Sequence, residues 1–351
     1  MKDLLQLASQ IVSIESVSLG ETALADHVHE LLGSAPHLSV ERIGNNVVAR
    51  TTLGRPQRLL IAGHLDTVPV NDNLPGHIEG DRLYGLGACD MKGTVAVMLD
   101  LAIEVTQPAV DVTWVFYEAE EIAAVHNGLR KMFDECPELL ACDAAILGEP
   151  TCAAVEAGCQ GTLRARVTFT GARAHTARPW MGRNAIHRLG DLLSRLEAYE
   201  GRSPVIEGCT YREAVQAVFV EGGVAGNVVP DSATVTINHR FAPDRSLQEA
   251  IEHLRSVVGE CDHFEVTDSS QAAPPSVEHP LIAALIRRND LQVNAKLGWT
   301  DVARFAQHGI PAINFGAGDP TIAHTKDEFV ERSEIESVHS ALADLLQRGV
   351  D

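Results

Sequence analysis

Positive charge is scarce in this chain. Its 351 residues include 28 Lys and Arg against 48 Asp and Glu, a formal net charge of -20. Such a surface repels phosphate backbones and anionic lipid headgroups, so neither nucleic acid nor a membrane surface is an expected partner, whereas an acidic cleft that collects cations is compatible with it. The seven cysteines (Cys89, Cys136, Cys142, Cys152, Cys159, Cys209 and Cys261) are odd in number and include no C-x-x-C. That argues against a disulfide framework and a thiolate metal site, and favours a reducing, cytoplasmic setting. No stretch is long and apolar enough to span a bilayer. The opening MKDLLQLASQIVSIESVS reads as an amphipathic surface helix and lacks the unbroken apolar core of a signal peptide. Internal repeats, low-complexity tracts, a G-x-S-x-G and any cysteine in a nucleophile motif are also missing, which disfavours a serine or cysteine hydrolase.

A chain of this length exceeds one ordinary core, so two domains are expected. In the first half, short β-rich apolar runs at 46–49, 58–62, 112–117 and 144–147 alternate with helical patterns, and a fifth run, 312–315, comes near the end. This is the signature of βα units around a mixed, largely parallel sheet, an α/β fold. Between them the order changes: strand 163–170, helix 183–197, strands 214–220 and 233–241, helix 246–258, strand 263–267. A βαββαβ order predicts a small α+β, ferredoxin-like domain inserted into the larger one. Residues 1–160 and 271–351 would then form a discontinuous first domain and 161–270 the insert, with SSQAAPPS (269–276) as the returning linker.

Polar clusters follow nearly every strand of the first domain, and in open α/β sheets ligands gather at the carboxyl ends of the strands. GHLDTVP places His64 and Asp66 two residues apart on extended chain, so their side chains share a face. Asp66 can then accept the second ring N–H of a metal-bound His64 and fix its orientation; alternatively both merely end a strand in a turn. In GLGACDMKG, Asp90 either caps the helical run 94–103 or bridges two cations through its two oxygens, and Cys89 beside it reads as a small buried filler. FYEAEEIAAVHNG crowds Glu118, Glu120 and Glu121 after a strand, as a solvated acidic loop or as a cation site that makes their approach favourable. Glu149 in LGEPT and His324 in GAGDPTIAHTKDEFV complete the set. Two histidines and three carboxylates at strand ends match the nitrogen and oxygen ligands zinc accepts, and suffice for two ions sharing a bridge.

The motifs GHLDTVP, GACDMKG, EAEE, LGEPT, the inserted domain and a histidine before TKDEFV resemble, over nearly the whole chain, the co-catalytic zinc family of carboxypeptidase G, aminoacylase, acetylornithine deacetylase and the desuccinylases. The resemblance implies a zinc-peptidase-like catalytic domain carrying two Zn2+ per subunit, with Co2+ able to substitute. His64 and Glu149 would hold one ion and Glu121 and His324 the other, with Asp90 bridging, Glu120 as general base and Asp66 behind His64. The insert would be a dimerisation and lid domain, making the enzyme a homodimer. His175, in GARAHTARPWMGRNAIH, would reach the partner subunit's site to help hold the oxyanion. Asn227 in GGVAGNVVPD and Arg240 in INHRFAPD would contact substrate.

Within the family, HTARPWMGRNAIH, HRFAPDR and LGWTDVARF resemble the short desuccinylase subgroup. Arg178, Arg240 and the turn from Gly298 to Thr300 are candidates for binding the carboxylates of an N-succinyl diamino diacid, because arginine forks pair with carboxylates bidentately. The chain departs from some desuccinylases at Cys159 and Gln160, where CQGT replaces a pair of arginines. The expected reaction is hydrolysis of a small N-acyl amino acid. A sister deacylase or dipeptidase would share the metal ligands, and a non-catalytic zinc-binding interaction protein would bind metal without hydrolysis.

Overall fold

The computed structural model describes residues 3–351, and the first two residues of the expected N-terminal helix, Met1 and Lys2, lie outside the described residues. The chain divides into two compact units: Met1–Ala157 with Pro275–Asn294 and Arg304–Asp351, and Gly158–Pro274 with Ala295–Ala303. No helix of the described residues is long and apolar enough to cross a membrane.

The first unit is built on an eight-stranded mixed sheet. Across it the strands run Ser39–Ile43, Asn46–Arg50, Asp111–Tyr117, Arg58–His64, Ala144–Leu147, Ala312–Asn314, Val155–Ala157 and Val293–Ala295. The central four are mutually parallel, and Asn46–Arg50 and Val155–Ala157 flank them antiparallel. Asp111–Tyr117 and Ala144–Leu147 are buried at every residue, the continuous burial that parallel strands acquire when both faces are covered. Leu4–Val12, Gly93–Glu104, Pro280–Arg288 and Arg332–Arg348 pack into this core through Leu5, Ile11, Val95, Leu99, Leu285 and Leu342. Asp3 starts the first of these helices, its carboxylate accepting from the N–H groups of Leu5 and Gln6. Ser39–Ile43, Val155–Ala157, Val293–Ala295 and a three-stranded sheet of His77–Glu79, Arg82–Tyr84 and Phe329–Glu331 were not anticipated from the sequence. They are short or half-exposed, and lack the apolar runs that reveal central strands.

The second unit is a four-stranded antiparallel sheet in the order Ala214–Gly222, Ser232–Phe241, Gly161–Thr170, His263–Ser270. That is the ferredoxin-like arrangement expected. Gly161–Thr170 alternates between buried and more exposed residues, so one face of the sheet is covered, in keeping with the side-chain period of two. Leu192, Leu196, Ala250 and Leu254 from the helices Gly190–Glu197 and Leu247–Val258 fill its core.

Two element boundaries in this unit differ from the sequence reading by three residues or more. The helix expected over 183–197 begins only at Gly190, after a short turn at His187–Leu189. Arg183 is bonded in both directions to Ala172, and the Asn184 carboxamide accepts from the N–H groups of Ile186 and His187, which stops the helix from extending backwards. The strand expected over 263–267 continues to Ser270 because Ser269 and Ser270 pair with Leu163 and Thr162, so the first residues expected as linker are strand.

Glu213 is the buried ionic centre of this unit. Its carboxylate receives the Arg202 fork at 2.8 and 3.0 Å, Arg245 Nε at 2.9 Å and the Ala242 N–H at 3.1 Å. Burial alone pushes its carboxyl up, but these partners outweigh burial and hold it at about 2, against an ordinary 4.5. The contribution of a depressed carboxyl to stability is complete above its unfolded value and is lost as pH falls towards its folded one. Glu213→Ala is therefore expected to cost about 3 kcal/mol at neutral pH, because half-buried Arg245 loses its carboxylate while Arg202 keeps only its pair with Asp244. In urea titrations the gap from wild type should narrow as pH falls from about 5 to 3; a gap independent of pH would contradict this role.

Candidate metal centre

Because the four central strands are parallel, the residues that follow them emerge along one edge of the sheet. His64 ends Arg58–His64, Glu118 to Glu121 follow Asp111–Tyr117, Glu149 follows Ala144–Leu147, and His324 lies beyond Ala312–Asn314. Ala62 pairs with Leu147, and continuing that register sets Glu149 opposite His64. Glycine leaves room beneath them for Met91. A Cβ at Gly63 would lie 2.7 Å from Met91 Cε, and one at Gly148 would lie 2.6 Å from the same atom. Both strands thereby admit Met91, and with it the Asp90 turn, under the site.

Asp90 is the hub. His64 Nε2 lies 3.1 Å from its Oδ1 and His324 Nε2 lies 3.5 Å from its Oδ2. The same His324 nitrogen is 2.9 Å from Glu121 Oε1. Donor atoms of His64, Asp90 and Glu121 all fall within 4.8 Å of one another. Asp90 does not cap the following helix: Gly93–Glu104 has Lys92 at its N-cap and no side-chain cap bond. Glu328, fully buried, instead fixes the Asp90 turn by accepting from the N–H groups of Cys89 and Asp90 at 3.0 and 3.2 Å. Glu328 lies in TKDEFV, where nothing local marks a partner 238 residues away.

Charge in the cluster is balanced by the rings. Burial pushes His64 down, but its bonds to Asp66 and Asp90 prevail and hold it well above its ordinary value. Hydrogen bonds to Asp90 and Glu121 raise His324 to about 10. Burial pushes Asp90 up, and the two histidines more than reverse this and keep it below the usual carboxylate range. Carboxylates gathered this closely need positive charge among them, which ring protons or a bound cation can provide. Two imidazole nitrogens with carboxylate oxygens are the donors zinc accepts, so the residues fit the group. Cys89 is buried, and burial with the nearby carboxylates pushes its thiol up, away from the thiolate form a ligand requires.

Asp66 lies behind the second ring nitrogen of His64, through its carbonyl and its carboxylate. The nearest acceptor to His64 Nδ1 is the Asp66 main-chain carbonyl at 3.0 Å, while the carboxylate Oδ1 lies 3.5 Å away. The carboxylate accepts from the N–H groups of Glu120 and Glu121, at 2.9 and 3.0 Å, and from the Ser18 hydroxyl at 2.7 Å. Asp66 thus ties the histidine to the glutamate pair. Glu118 faces away from this role, accepting from the Asn45 N–H and the Asn46 carboxamide.

The other predicted site residues belong to the second unit. His175 is exposed, and its Nδ1 accepts the Ala177 N–H at 3.0 Å. In the neutral ring this leaves the proton on Nε2, as a donor. The Asn227 carbonyl accepts from Thr176 at 3.0 Å, so the His175 and Asn227 loops are adjacent. Arg178 is exposed and donates its main-chain N–H to His175. Arg240 is half-buried on Ser232–Phe241, opposite Thr162. Gly298 and Thr300, placed by sequence in the first domain, cluster with the second unit; Gly298 is exposed and Thr300 buried. At the CQGT departure, Cys159 exchanges both main-chain bonds with Ala273, and the buried Gln160 accepts the Arg212 N–H.

A mixed α/β sheet with a His–Asp–Glu–His cluster along the carboxyl edge of its parallel strands defines the class as metallopeptidase-like hydrolases. The chain belongs to peptidase family M20/M25/M40, whose model matches residues 60–348, as the strand-end motifs had implied. It is 51% identical over 348 residues to the Mycobacterium tuberculosis protein named "Putative succinyl-diaminopimelate desuccinylase DapE", covering 99% of this chain and 97% of that one. It is 44% identical over 355 residues to succinyl-diaminopimelate desuccinylase of Corynebacterium glutamicum, covering 98% and 96%. Among solved structures, the Bacillus subtilis YXEP protein, described as a dinuclear metal-binding peptidase of the M20 family, shares the fold with a TM-score of 0.72 at 18% identity, covering 98% and 96%.

Proposed function

We propose that the chain is a two-zinc amidase that removes succinate from N-succinyl-LL-2,6-diaminopimelate, in the cytoplasm, as a step of diaminopimelate and lysine biosynthesis. The observation that carries the substrate is the 51% and 44% identity, over nearly the full chain, to relatives bearing that name. His64 and Glu149 would hold one ion and Glu121 and His324 the other, with Asp90 as their shared ligand. When bound, the ion pair supplies Lewis acidity at the carbonyl oxygen and a water acidified towards neutrality. Glu120, its main chain pinned by Asp66, accepts the proton of the attacking water and delivers it to the amide nitrogen as the C–N bond breaks. Water oxygen joins the carbonyl carbon, and the products are succinate and the free diamino acid. Arg178, Arg240, Asn227 and the turn from Gly298 to Thr300 bind the substrate's carboxylates and amide.

The working form is a homodimer joined through the second unit. Its edge strand Ala214–Gly222 carries Val218, Phe219 and Val220 exposed in succession, Phe219 at 67%, with Ile186, Leu193 and Val224 also exposed in this unit. An exposed apolar edge strand favours pairing with a second copy. His175 of each subunit serves the other's site, donating from Nε2 to the oxyanion. Mixing His175→Ala with Glu120→Gln subunits should restore activity that neither variant has alone, because one site of each mixed dimer keeps both groups. Rates in the mixture that remain the sum of the two parents would exclude a histidine shared between subunits.

The substrate is tested by hydrolysis of N-succinyl-diaminopimelate, N-acetylornithine and a dipeptide panel, with metal removed by chelation and then restored. Succinyl cleavage that disappears and returns with metal is the expected result. Preference for N-acetylornithine would support a sister deacylase; Cys159 and Gln160, buried where some desuccinylases carry arginines, are the departure that makes this comparison necessary. Metal uptake with no hydrolysis of any substrate would indicate a non-catalytic zinc protein.

A further inference from the structure

Glu21 stands at the N-cap of the helix Thr22–Gly33, where Ser, Thr, Asp or Asn ordinarily bond the first free N–H groups. Its side chain makes no such bond. It is fully buried, and its Oε1 instead accepts the Leu19 N–H at 2.9 Å and, 98 residues along the chain, the Ala119 N–H at 3.1 Å. Both donors belong to residues in the left-handed region, Leu19 at φ 72° and Ala119 at φ 57°. Side chains beyond glycine adopt that region at a cost and keep it where surrounding contacts over-determine it.

Ala119 lies immediately before Glu120 and Glu121. Three consecutive main-chain N–H groups, of residues 119, 120 and 121, are thus received by two buried carboxylates, Glu21 for the first and Asp66 for the other two. The short segment that delivers Glu21 is zipped to the strand end bearing His64. Ser16 Oγ donates to the Leu65 carbonyl, Thr67 N–H to the Ser16 carbonyl, Ser18 N–H to the Thr67 carbonyl and Ser18 Oγ to Asp66. The glutamate turn is held against a second turn, at residues 17–20, that is itself bonded to the His64 strand end.

We infer that Glu21 is a positioning residue for the hydrolysis, holding the left-handed turn at Ala119 that aims Glu120 at the attacking water and Glu121 at the metal site. The inference rests on the roles proposed above for those two glutamates. Glu21 touches neither group's carboxylate; it acts through the backbone, and a small rotation at Ala119 carries both side chains with it.

The test uses full-length, metal-loaded Glu21→Ala, Glu21→Asp and Glu21→Gln. Glutamine keeps an acceptor oxygen at the same reach, whereas aspartate keeps the charge but is one methylene short of Ala119. Alanine and aspartate should lower kcat by about 10- to 100-fold with KM little changed, the scale of misplacing a catalytic group by about 1 Å, and glutamine should recover most of the loss. Deuterium exchange in a peptide spanning 118–121 should accelerate in the alanine and aspartate variants and stay slow in the glutamine variant. Wild-type kcat in Glu21→Ala, or a loss that follows bound metal or folded fraction alone, would overturn the inference. If alanine prevents folding, the aspartate and glutamine pair decides. If the wild type cleaves none of the panel substrates, the proposed function fails, while exchange at 118–121 still tests the anchor.

Discussion

Glu120→Gln is expected to lower kcat about a thousandfold while metal content stays at the wild-type level. The reason lies in how the residue is held. Its position is set by the main chain, with its N–H on Asp66 Oδ1 at 2.9 Å and the neighbouring Glu121 N–H on Oδ2 at 3.0 Å, and a glutamine side chain disturbs neither bond. Glutamine has nearly the same shape but no basic oxygen able to take a proton, so the variant removes proton transfer and little else. General-base catalysis by a positioned side chain is worth about 10²- to 10⁴-fold. KM should change little, since the lost interaction belongs to the transition state. Metal analysis together with steady-state kinetics checks both halves. Full activity would remove Glu120 from the base role, and joint loss of metal and activity would make it a ligand instead.

Asp90→Ala is expected to abolish activity and to weaken metal binding by well over 100-fold, the upper range for changes that only touch a ligand's supporting shell. Asp90 places one oxygen 3.1 Å from His64 Nε2 and the other 3.5 Å from His324 Nε2. Its two oxygens reach both rings, so its removal takes negative charge from the middle of the cluster. The variant should retain its fold, because the turn carrying Asp90 is fixed through main-chain N–H groups on Glu328. Zinc content after dialysis, with circular dichroism as the control, measures the effect. A variant that keeps two ions per subunit would dismiss Asp90 as the bridge. Restoring activity by excess zinc would show weakened affinity, whereas inactivity at saturating zinc would show that the bridge is also needed to place the ions.

Much of the site was legible in the sequence for a simple reason. Central parallel strands are buried on both faces, so their apolar runs stand out, and polar residues just past them fall on one edge. His64, the glutamates at 118, 120 and 121, Glu149 and His324 could be set at that edge from strand ends, while the choice of Glu121 among the three came from the family resemblance. Asp90 could not be separated from a helix cap, since a carboxylate before a helical run serves either purpose. Only the fold decides, by putting Lys92 at the N-cap and turning Asp90 towards two histidines.

The sequence by itself determined the α/β framework, the βαββαβ insert and the residue types that gather cations, because hydrophobic period and strand ends are local properties. Tertiary structure alone decided how these groups are aimed. The carboxylate of Asp66 bonds N–H groups 54 and 55 residues away, Glu21 reaches Ala119 across 98 residues, and Glu328 reaches Asp90 across 238. A hydrogen bond between a buried carboxylate and a distant main-chain N–H leaves no mark on the spacing of either segment. It exists only once the sheet has brought the strand ends together.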